Sequence, residues 1–149
     1  MRHSFMKIGA GLFALAALTA CGSDTTTSPT ISAAGSYTAS SFITTGPSGI
    51  TDQLLAGSTV AIALAPNGIT SGHLHVVASA SNPAIDADLA GTWTQDGMTV
   101  HISAPAVDTF LNDMPFTLTA NAAESWDLVG DQGFAGTRIQ LTLKKSPAL

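Results

Sequence analysis

Apolar and polar residues alternate in short runs along most of the chain after its first third. Within residues 59–65, valine, isoleucine and leucine occupy every second position, which places them on one face of a β-strand. Asn67-Gly68 follows, and this dipeptide after an alternating run is a strong signal for a hairpin turn. A second alternating run returns over 69–78. The pattern therefore predicts a β-hairpin with one apolar face.

The same pattern recurs further along, where Asp96-Gly97 joins another pair of alternating runs. Turn residues separate the runs at short intervals, so we expect mostly short connections. The predicted strands, about eight in number, cover 35–44, 59–65, 69–78, 88–95, 98–104, 115–120, 125–129 and 134–144. One segment departs from the pattern: apolar residues at helical spacing predict a short helix or a helical turn over 105–113.

These strands predict an all-β domain. Antiparallel strands with one buried face either close into a barrel or pack as a sandwich. Hairpins in strict succession favour an up-and-down barrel of about eight strands, because a sandwich needs long crossovers; the β-sandwich is the alternative. An eight-stranded barrel has an interior that side chains can fill, or that can hold one small ligand.

The first twenty residues have the features of an export signal. A short positive segment contains Arg2, His3 and Lys7, and residues 8–17 are apolar and uncharged. This run of about ten residues is too short to cross roughly 30 Å of hydrocarbon as a stable helix. We therefore assign residues 1–20 to a signal peptide.

Leu18-Thr19-Ala20-Cys21 ends this signal, and Cys21 is the only cysteine of the chain. The motif resembles the lipobox of bacterial lipoproteins; the alternative is an ordinary secretory signal with a coincidental cysteine. The resemblance implies that the Cys21 thiol receives diacylglycerol and that cleavage leaves Cys21 at the N-terminus. Gly22 follows, whereas Asp at that position resembles an inner-membrane retention signal, so the outer membrane is favoured.

The residues after the signal divide into a tether and a domain. Residues 21–34 are rich in Ser, Thr and Pro and predict a flexible tether, and residues 35–149 form the predicted barrel. From residue 21 onward, three basic residues stand against ten acidic ones, a net charge of −7. This charge repels nucleic acid and anionic head groups, so we expect no nucleic-acid partner and membrane attachment through the lipid alone.

The two ends of the predicted domain carry a further resemblance. Gly35-Ser36-Tyr37 opens the first strand, and Arg138 lies on the last. This is similar to the calycin arrangement of lipocalins, in which Gly-x-Trp opens the first strand and a basic residue of the final strand packs over the ring. The chain resembles more closely the small lipocalin-like domains of bacterial lipoproteins. The resemblance implies that Arg138 covers the ring of Tyr37.

The aromatic residues of the domain either fill the core or line a ligand cavity. They are Tyr37, Phe42, Trp93, Phe110, Phe116, Trp126 and Phe134. As candidate ligand-binding residues we select Leu74, Trp93, Met98 and Phe116. The expected ligand is a small apolar molecule; if the barrel is filled, the expected partner is another envelope protein.

Three histidines suggest a metal site, but their predicted positions argue against one. His73 and His75 share one strand face, and His101 has the same outward parity. Three imidazoles can bind Zn²⁺, yet an intervening strand separates His101 from the other two by roughly 9.5 Å. We therefore predict exposed strand histidines and no metal.

Catalytic motifs are absent from the sequence. It contains no Gly-x-Ser-x-Gly nucleophile elbow and no glycine-rich loop leading into a helix. The prediction is therefore a protein that is not an enzyme and has no cofactor.

The Cys21→Ser variant tests the anchor. Because serine has no thiol to accept diacylglycerol, we expect loss of metabolic labelling with palmitate and accumulation of the uncleaved precursor. Labelling followed by electrophoresis of membrane fractions measures both, and normal processing of the variant would refute the lipoprotein assignment.

Overall fold

A computed structural model describes residues 31–79, 83–105, 109–112, 114–123, 125–134 and 136–147. They belong to one compact unit, Ile31–Leu149. The predicted signal peptide and Cys21 lie outside the described residues.

Strands make up almost all of the regular secondary structure in the described part of the chain. Its strands are β1 (Gly35–Gly46), β2 (Gly49–Asp52), β3 (Thr59–Leu64), β4 (Ile69–Val76), β5 (Ile85–Asp88), β6 (Gly91–Asp96), β7 (Thr99–Ser103), β8 (Phe116–Ala120), β9 (Trp126–Phe134) and β10 (Thr137–Lys145). A single 3₁₀ turn covers Phe110–Asn112.

Eight of these strands close into an antiparallel barrel, which confirms the predicted fold. They follow each other as β1, β3, β4, β6, β7, β8, β9 and β10, and β10 pairs with β1. Two further short strands, β2 and β5, are not among the strands predicted from the sequence. β2 shares one edge of β1 with β3, and β5 shares one edge of β4 with β6.

Both predicted hairpin turns are present. Gly68 between β3 and β4 has φ of 82°, and Gly97 between β6 and β7 has φ of 58°. These backbone angles favour glycine because a Cβ atom is strained there. The Asn67 side chain also accepts the N–H of Ile69 at 3.2 Å, which fixes the β3–β4 turn.

The predicted inward face of the strands is the buried one. Val60, Ile62 and Leu64 of β3 are buried, while Ala61 between them is exposed. The largest side chains with almost no exposure fill the interior: Tyr37, Phe42, Leu64, Leu74, Leu89, Ile102, Leu111, Met114, Phe116, Leu118, Leu128 and Leu141. Over most of its length the barrel is therefore packed with side chains.

In the segment 105–113, predicted as a short helix or a helical turn, the described residues form the 3₁₀ turn; residues 106–108 and 113 lie outside the described residues. The side-chain oxygen of Asn112 accepts the N–H of Ala104 at 2.7 Å, which ties the two ends of the segment together. Phe110 and Leu111 are both buried. These two residues are apolar because the 3₁₀ turn buries both side chains in the barrel interior. They do not form the apolar face of a longer helix.

One end of the barrel is closed by the chain that precedes β1. The Tyr37 hydroxyl donates to the Ala33 carbonyl at 2.7 Å. The Gln95 side chain accepts the Ala33 N–H at 2.9 Å and donates to the Ile31 carbonyl at 2.8 Å. Ala33 is fully buried. The compact unit therefore begins at Ile31, four residues before the predicted start at Gly35.

A basic residue does cover the Tyr37 ring, but it is Lys145 and not Arg138. Antiparallel pairing places Tyr37 opposite Lys145 and Thr45 opposite Arg138. The Lys145 Nζ lies 5.8 Å from the ring centroid, within cation–π range. Arg138 lies near the other end of β10 and donates to Asp131 Oδ1 at 2.8 Å.

The side chain of Lys145 also explains a glycine. A Cβ added to Gly35 would lie 2.4 Å from the Lys145 Cε, and Gly35 has φ of 150°. Gly35 thus leaves room for the lysine stem beside the ring.

The buried phenol of Tyr37 makes the barrel sensitive to alkali. Burial, with a smaller contribution from the nearby Asp127 carboxylate, raises the pKa of Tyr37 to about 12. Because the folded state holds the neutral phenol, its contribution to stability is complete below pH 10 and is lost as the pH rises from about 10 through 12. We expect the free energy of unfolding to fall by about 2–3 kcal/mol across that window.

Tyr37→Phe is the matched control, since it keeps the ring and removes the ionisable group. Tyr37 is the only tyrosine, so the ultraviolet absorbance of phenolate reports its titration directly. Urea unfolding of both proteins at several alkaline pH values measures the difference. An ordinary titration near pH 10 in the folded protein would contradict this account.

Candidate ligand-binding cavity

A cavity of about 390 Å³ lies at the end of the barrel opposite the closed end. The end of β1, with Gly49 and Thr51 of β2, forms one side of it. The end of β4 with the start of β5 forms a second side, and the β9–β10 turn forms a third. Seven aromatic or aliphatic side chains line the wall: Phe42, Val76, Val77, Ile85, Phe110, Phe134 and Ile139.

Two buried rings meet at this wall. The centroids of Phe42 and Phe110 are 5.6 Å apart and the rings are tilted by 44°, a favourable aromatic geometry. Gln132 of β9 donates to the Phe110 carbonyl at 3.1 Å. The 3₁₀ turn is therefore held in place by both a ring contact and a hydrogen bond.

A polar ridge, formed by Thr44, Gln53 and Ser58, crosses this apolar wall. The Gln53 amide donates to the Thr44 hydroxyl at 2.9 Å, and its oxygen accepts from the Ser58 hydroxyl at 3.1 Å. Ser58 in turn accepts the N–H of Val77 at 3.1 Å. The ridge therefore joins β1, the 53–58 turn and the residue after β4.

The 53–58 turn has a local cause. Oδ1 of Asp52 accepts the N–H groups of Leu54 and Leu55 at 3.0 and 3.1 Å, the pattern by which Asp begins a turn. The Gln53 N–H also donates to the Phe42 carbonyl at 2.8 Å. These bonds fold the chain back on β1 and set the Gln53 side chain on the cavity wall.

The cavity wall carries no ionisable side chain among the residues that the structure describes there. Arg138 follows a wall residue, but it pairs with Asp131 on the outer surface; this hydrogen-bonded guanidinium lowers the pKa of the Asp131 carboxyl. Several rim residues, including Pro47, Thr51 and Pro83, are exposed. The cavity is therefore apolar inside, neutral, and open to solvent at its rim.

None of the four residues selected from the sequence lies on this wall. Leu74 and Phe116 are fully buried in the packed interior. Trp93 donates its ring N–H to the Ala65 carbonyl at 2.8 Å near the closed end. Met98 lies in the turn before β7, with 37% exposure. A ligand contact by any of them stays a prediction, and the cavity directs attention elsewhere.

Three aromatic wall residues could be selected from the sequence as candidates, whereas Gln53 could not. Phe42, Phe110 and Phe134 belong to the aromatic set that the sequence offers. Gln53 carries no signal of its own, because only the fold of its turn brings its amide to the wall. Alternation in the sequence shows which side chains face the barrel interior. It does not show the height of each side chain, meaning its position along the barrel axis.

His73 and His75 are on the outer face of β4, as predicted, but their neighbouring strand is β5. The Asp86 carboxylate contacts both rings. Its Oδ1 lies 2.6 Å from His73 Nε2, and its Oδ2 lies 3.1 Å from His75 Nδ1. Asp88 lies 3.2 Å from His73 Nδ1. The sequence did not predict these contacts, because β5, which carries both carboxylates, was not predicted as a strand.

His101 is exposed on β7, where it pairs in register with Thr94 of β6. Within the described ranges, no group of three or more His, Cys, Asp or Glu side chains has an arrangement that could hold a metal ion. His73 and His75 instead contact the carboxylates of β5 from the neighbouring strand β4.

The fold and the cavity together define the class of this protein: a small closed antiparallel β-barrel with one sealed end and one cavity-bearing end. No protein-family model, no curated protein and no solved structure matches the chain significantly. Among the described residues, no helix has the length and apolar character needed to span a bilayer.

Zinc provides a direct check on the histidines. Because His73 and His75 are paired with carboxylates and His101 lies on another strand, we expect equimolar Zn²⁺ to produce no binding heat at micromolar protein. Isothermal calorimetry measures this. A binding heat that disappears in His73→Ala but persists in His101→Ala would establish a site on β4 and β5 and contradict the prediction.

Proposed function

We propose that this protein is a lipid-anchored lipoprotein of the bacterial cell envelope whose barrel binds a small apolar molecule. The cavity is the observation that carries the binding role. Its volume of about 390 Å³ falls within the roughly 300–1,000 Å³ of small-molecule sites, which are mostly apolar and often lie in the mouths of β-barrels. Binding rather than catalysis is proposed because the described wall offers amide and hydroxyl groups but no ionisable acid or base.

The lipobox resemblance of Leu18-Thr19-Ala20-Cys21 supports the anchor. A single acyl chain gives only marginal membrane binding, whereas two or three give stable attachment, and lipoprotein processing supplies that number. Gly22 favours the outer membrane. The Tyr37–Lys145 contact supports a lipocalin-like origin of the domain, since a basic residue of the last strand covers the ring that opens the first.

A structural or protein-interaction role is the second candidate, and two observations favour it. The barrel is filled over most of its length. A shallow groove of about 230 Å³ crosses the outer face of β1, β3 and β4, where Thr38, Ala61, Ala63 and Ser71 provide small side chains. Small side chains allow close approach of another envelope protein.

The two candidates differ in whether the cavity binds a ligand. The uncharged fluorophore N-phenyl-1-naphthylamine is a suitable probe, since its emission rises on entering an apolar site. We expect saturable binding at one site per barrel. Val77→Trp places a large ring at the wall beside Ser58 and is expected to weaken binding at least about tenfold, because the ring occupies space the probe needs.

Ile69→Trp is the matched control, since it adds the same ring at an exposed position at the start of β4, away from the cavity wall. It is expected to leave the affinity unchanged. Thr51→Trp, on the exposed rim, repeats the test without a buried substitution. Equal affinity in all four proteins, each verified as folded by circular dichroism, would exclude the cavity as the binding site and favour the interaction role.

A further inference from the structure

We infer that the cavity selects an uncharged ligand, and that Gln53 and Thr44 bind a hydroxyl, carbonyl or amide group of it. This inference rests on the proposed binding function and specifies its ligand class. It follows from the chemistry of the wall, from the charges around the mouth and from the unused hydrogen-bonding capacity of one side chain.

The wall disfavours ions of either sign. A charged group that leaves water needs an opposite charge or several hydrogen bonds to offset its lost hydration. The described wall residues are Phe, Val, Ile, Pro, Gly, Ser, Thr and Gln, without Lys, Arg, His, Asp or Glu. A carboxylate or an ammonium group would therefore enter without a counterion.

Charges near the mouth add a preference against anions. Asp52 directly precedes Gln53. Asp86 follows the wall residue Ile85 but contacts His73 and His75 on the outer face. The nearest described basic group along β10, Arg138, is already paired with Asp131. The Asp52 carboxylate and the net charge of −7 from residue 21 onward therefore disfavour anions at the entrance.

Gln53 has hydrogen-bonding groups to offer a neutral ligand. A primary amide has two N–H donors and two acceptor positions on its oxygen. Gln53 uses one N–H on Thr44 and one acceptor position on Ser58. The Thr44 hydroxyl accepts from Gln53 and still has its own hydrogen. One donor, one acceptor and one hydroxyl therefore remain at the wall for an uncharged polar group.

The volume limits the size of the ligand. About 390 Å³ equals the liquid volume of roughly thirteen water molecules. A fused two-ring compound or a medium-length alkyl chain fits this space, whereas a whole phospholipid does not. The ligand class is therefore a small neutral amphiphile, such as an aryl or alkyl alcohol, ester or amide.

Two fluorophores that differ by one sulfonate test the charge preference. N-phenyl-1-naphthylamine is neutral, and 8-anilinonaphthalene-1-sulfonate has the same ring system with a negative charge. With the full mature protein we expect the neutral probe to bind at least about tenfold more tightly. Equal affinities, both lowered by Val77→Trp, would overturn the charge preference and leave the binding function standing. If neither probe binds, the proposed function itself fails.

A charge added at the rim should narrow the preference. Thr51→Lys places an ammonium group at an exposed wall position, and we expect it to raise the affinity ratio of the sulfonated probe to the neutral probe about fivefold or more. Thr94→Lys, exposed on the outer face of β6, is the matched control and should leave the ratio unchanged. An equal increase in both variants would show a general charge effect and contradict a role for the wall.

Competition by 2-naphthol and by naphthalene against the neutral probe tests the Gln53 contact. We expect 2-naphthol to bind about fivefold more tightly, the gain typical of one neutral hydrogen bond. Gln53→Met keeps a similar length and volume and should remove this gain while leaving naphthalene unchanged. Thr44→Val repeats the test from the neighbouring strand. An undiminished preference for 2-naphthol in both folded variants would overturn the assignment.

Discussion

The pairing of β1 with β10 is the interaction on which the rest of the structure depends. It joins strands about a hundred residues apart in sequence, from Tyr37 opposite Lys145 to Thr45 opposite Arg138. Closing so long a loop costs conformational entropy before any favourable contact forms. Burial of apolar residues along both strands offsets this cost; they include Phe42, Ile139 and Leu141. Once the pair forms, the barrel has no free edge at this seam.

The same seam also determines the two ends. At one end it brings Lys145 over the Tyr37 ring and leaves Tyr37 positioned to bind Ala33. At the other end it sets Thr44 beside Ile139, and both line the cavity. A segment that crosses a barrel end must pair its backbone groups, and Gln95 does this for Ile31 and Ala33. The 3₁₀ turn at the opposite end fills only part of the opening, so a cavity remains.

The sequence predicted the barrel well because its signals are local. Asn67-Gly68 and Asp96-Gly97 define hairpins, and alternation identifies the buried face of each strand. It did not predict register: Arg138 was expected over Tyr37, but antiparallel pairing brings Lys145 there. β2 and β5 have only four residues each, too few for alternation to show, and the outer histidine–carboxylate pairs were missed with β5.

The cavity was beyond the sequence for a related reason. Its wall is assembled from segments near residues 44, 53, 77, 85, 110 and 137, none of which contains a motif. Leu74 and Phe116 satisfied every sequence criterion for an inward-facing residue, yet inward-facing residues at mid-height fill the core. Height along the barrel depends on strand stagger, and stagger is set by the closure of β1 on β10 rather than by any single strand.

The contrast between the packed interior and the cavity argues for a binding role. Unfilled apolar space forfeits packing contacts, and larger side chains at its wall would recover them. In the barrel interior the chain packs side chains that have almost no exposure, such as Leu74, Leu111 and Leu141. At the mouth it instead places Thr44, Thr137 and Gln53 beside Phe42 and Phe110. Because these polar side chains do not fill the cavity, the apolar wall lacks packing contacts there. A neutral amphiphile bound in the cavity would supply those contacts.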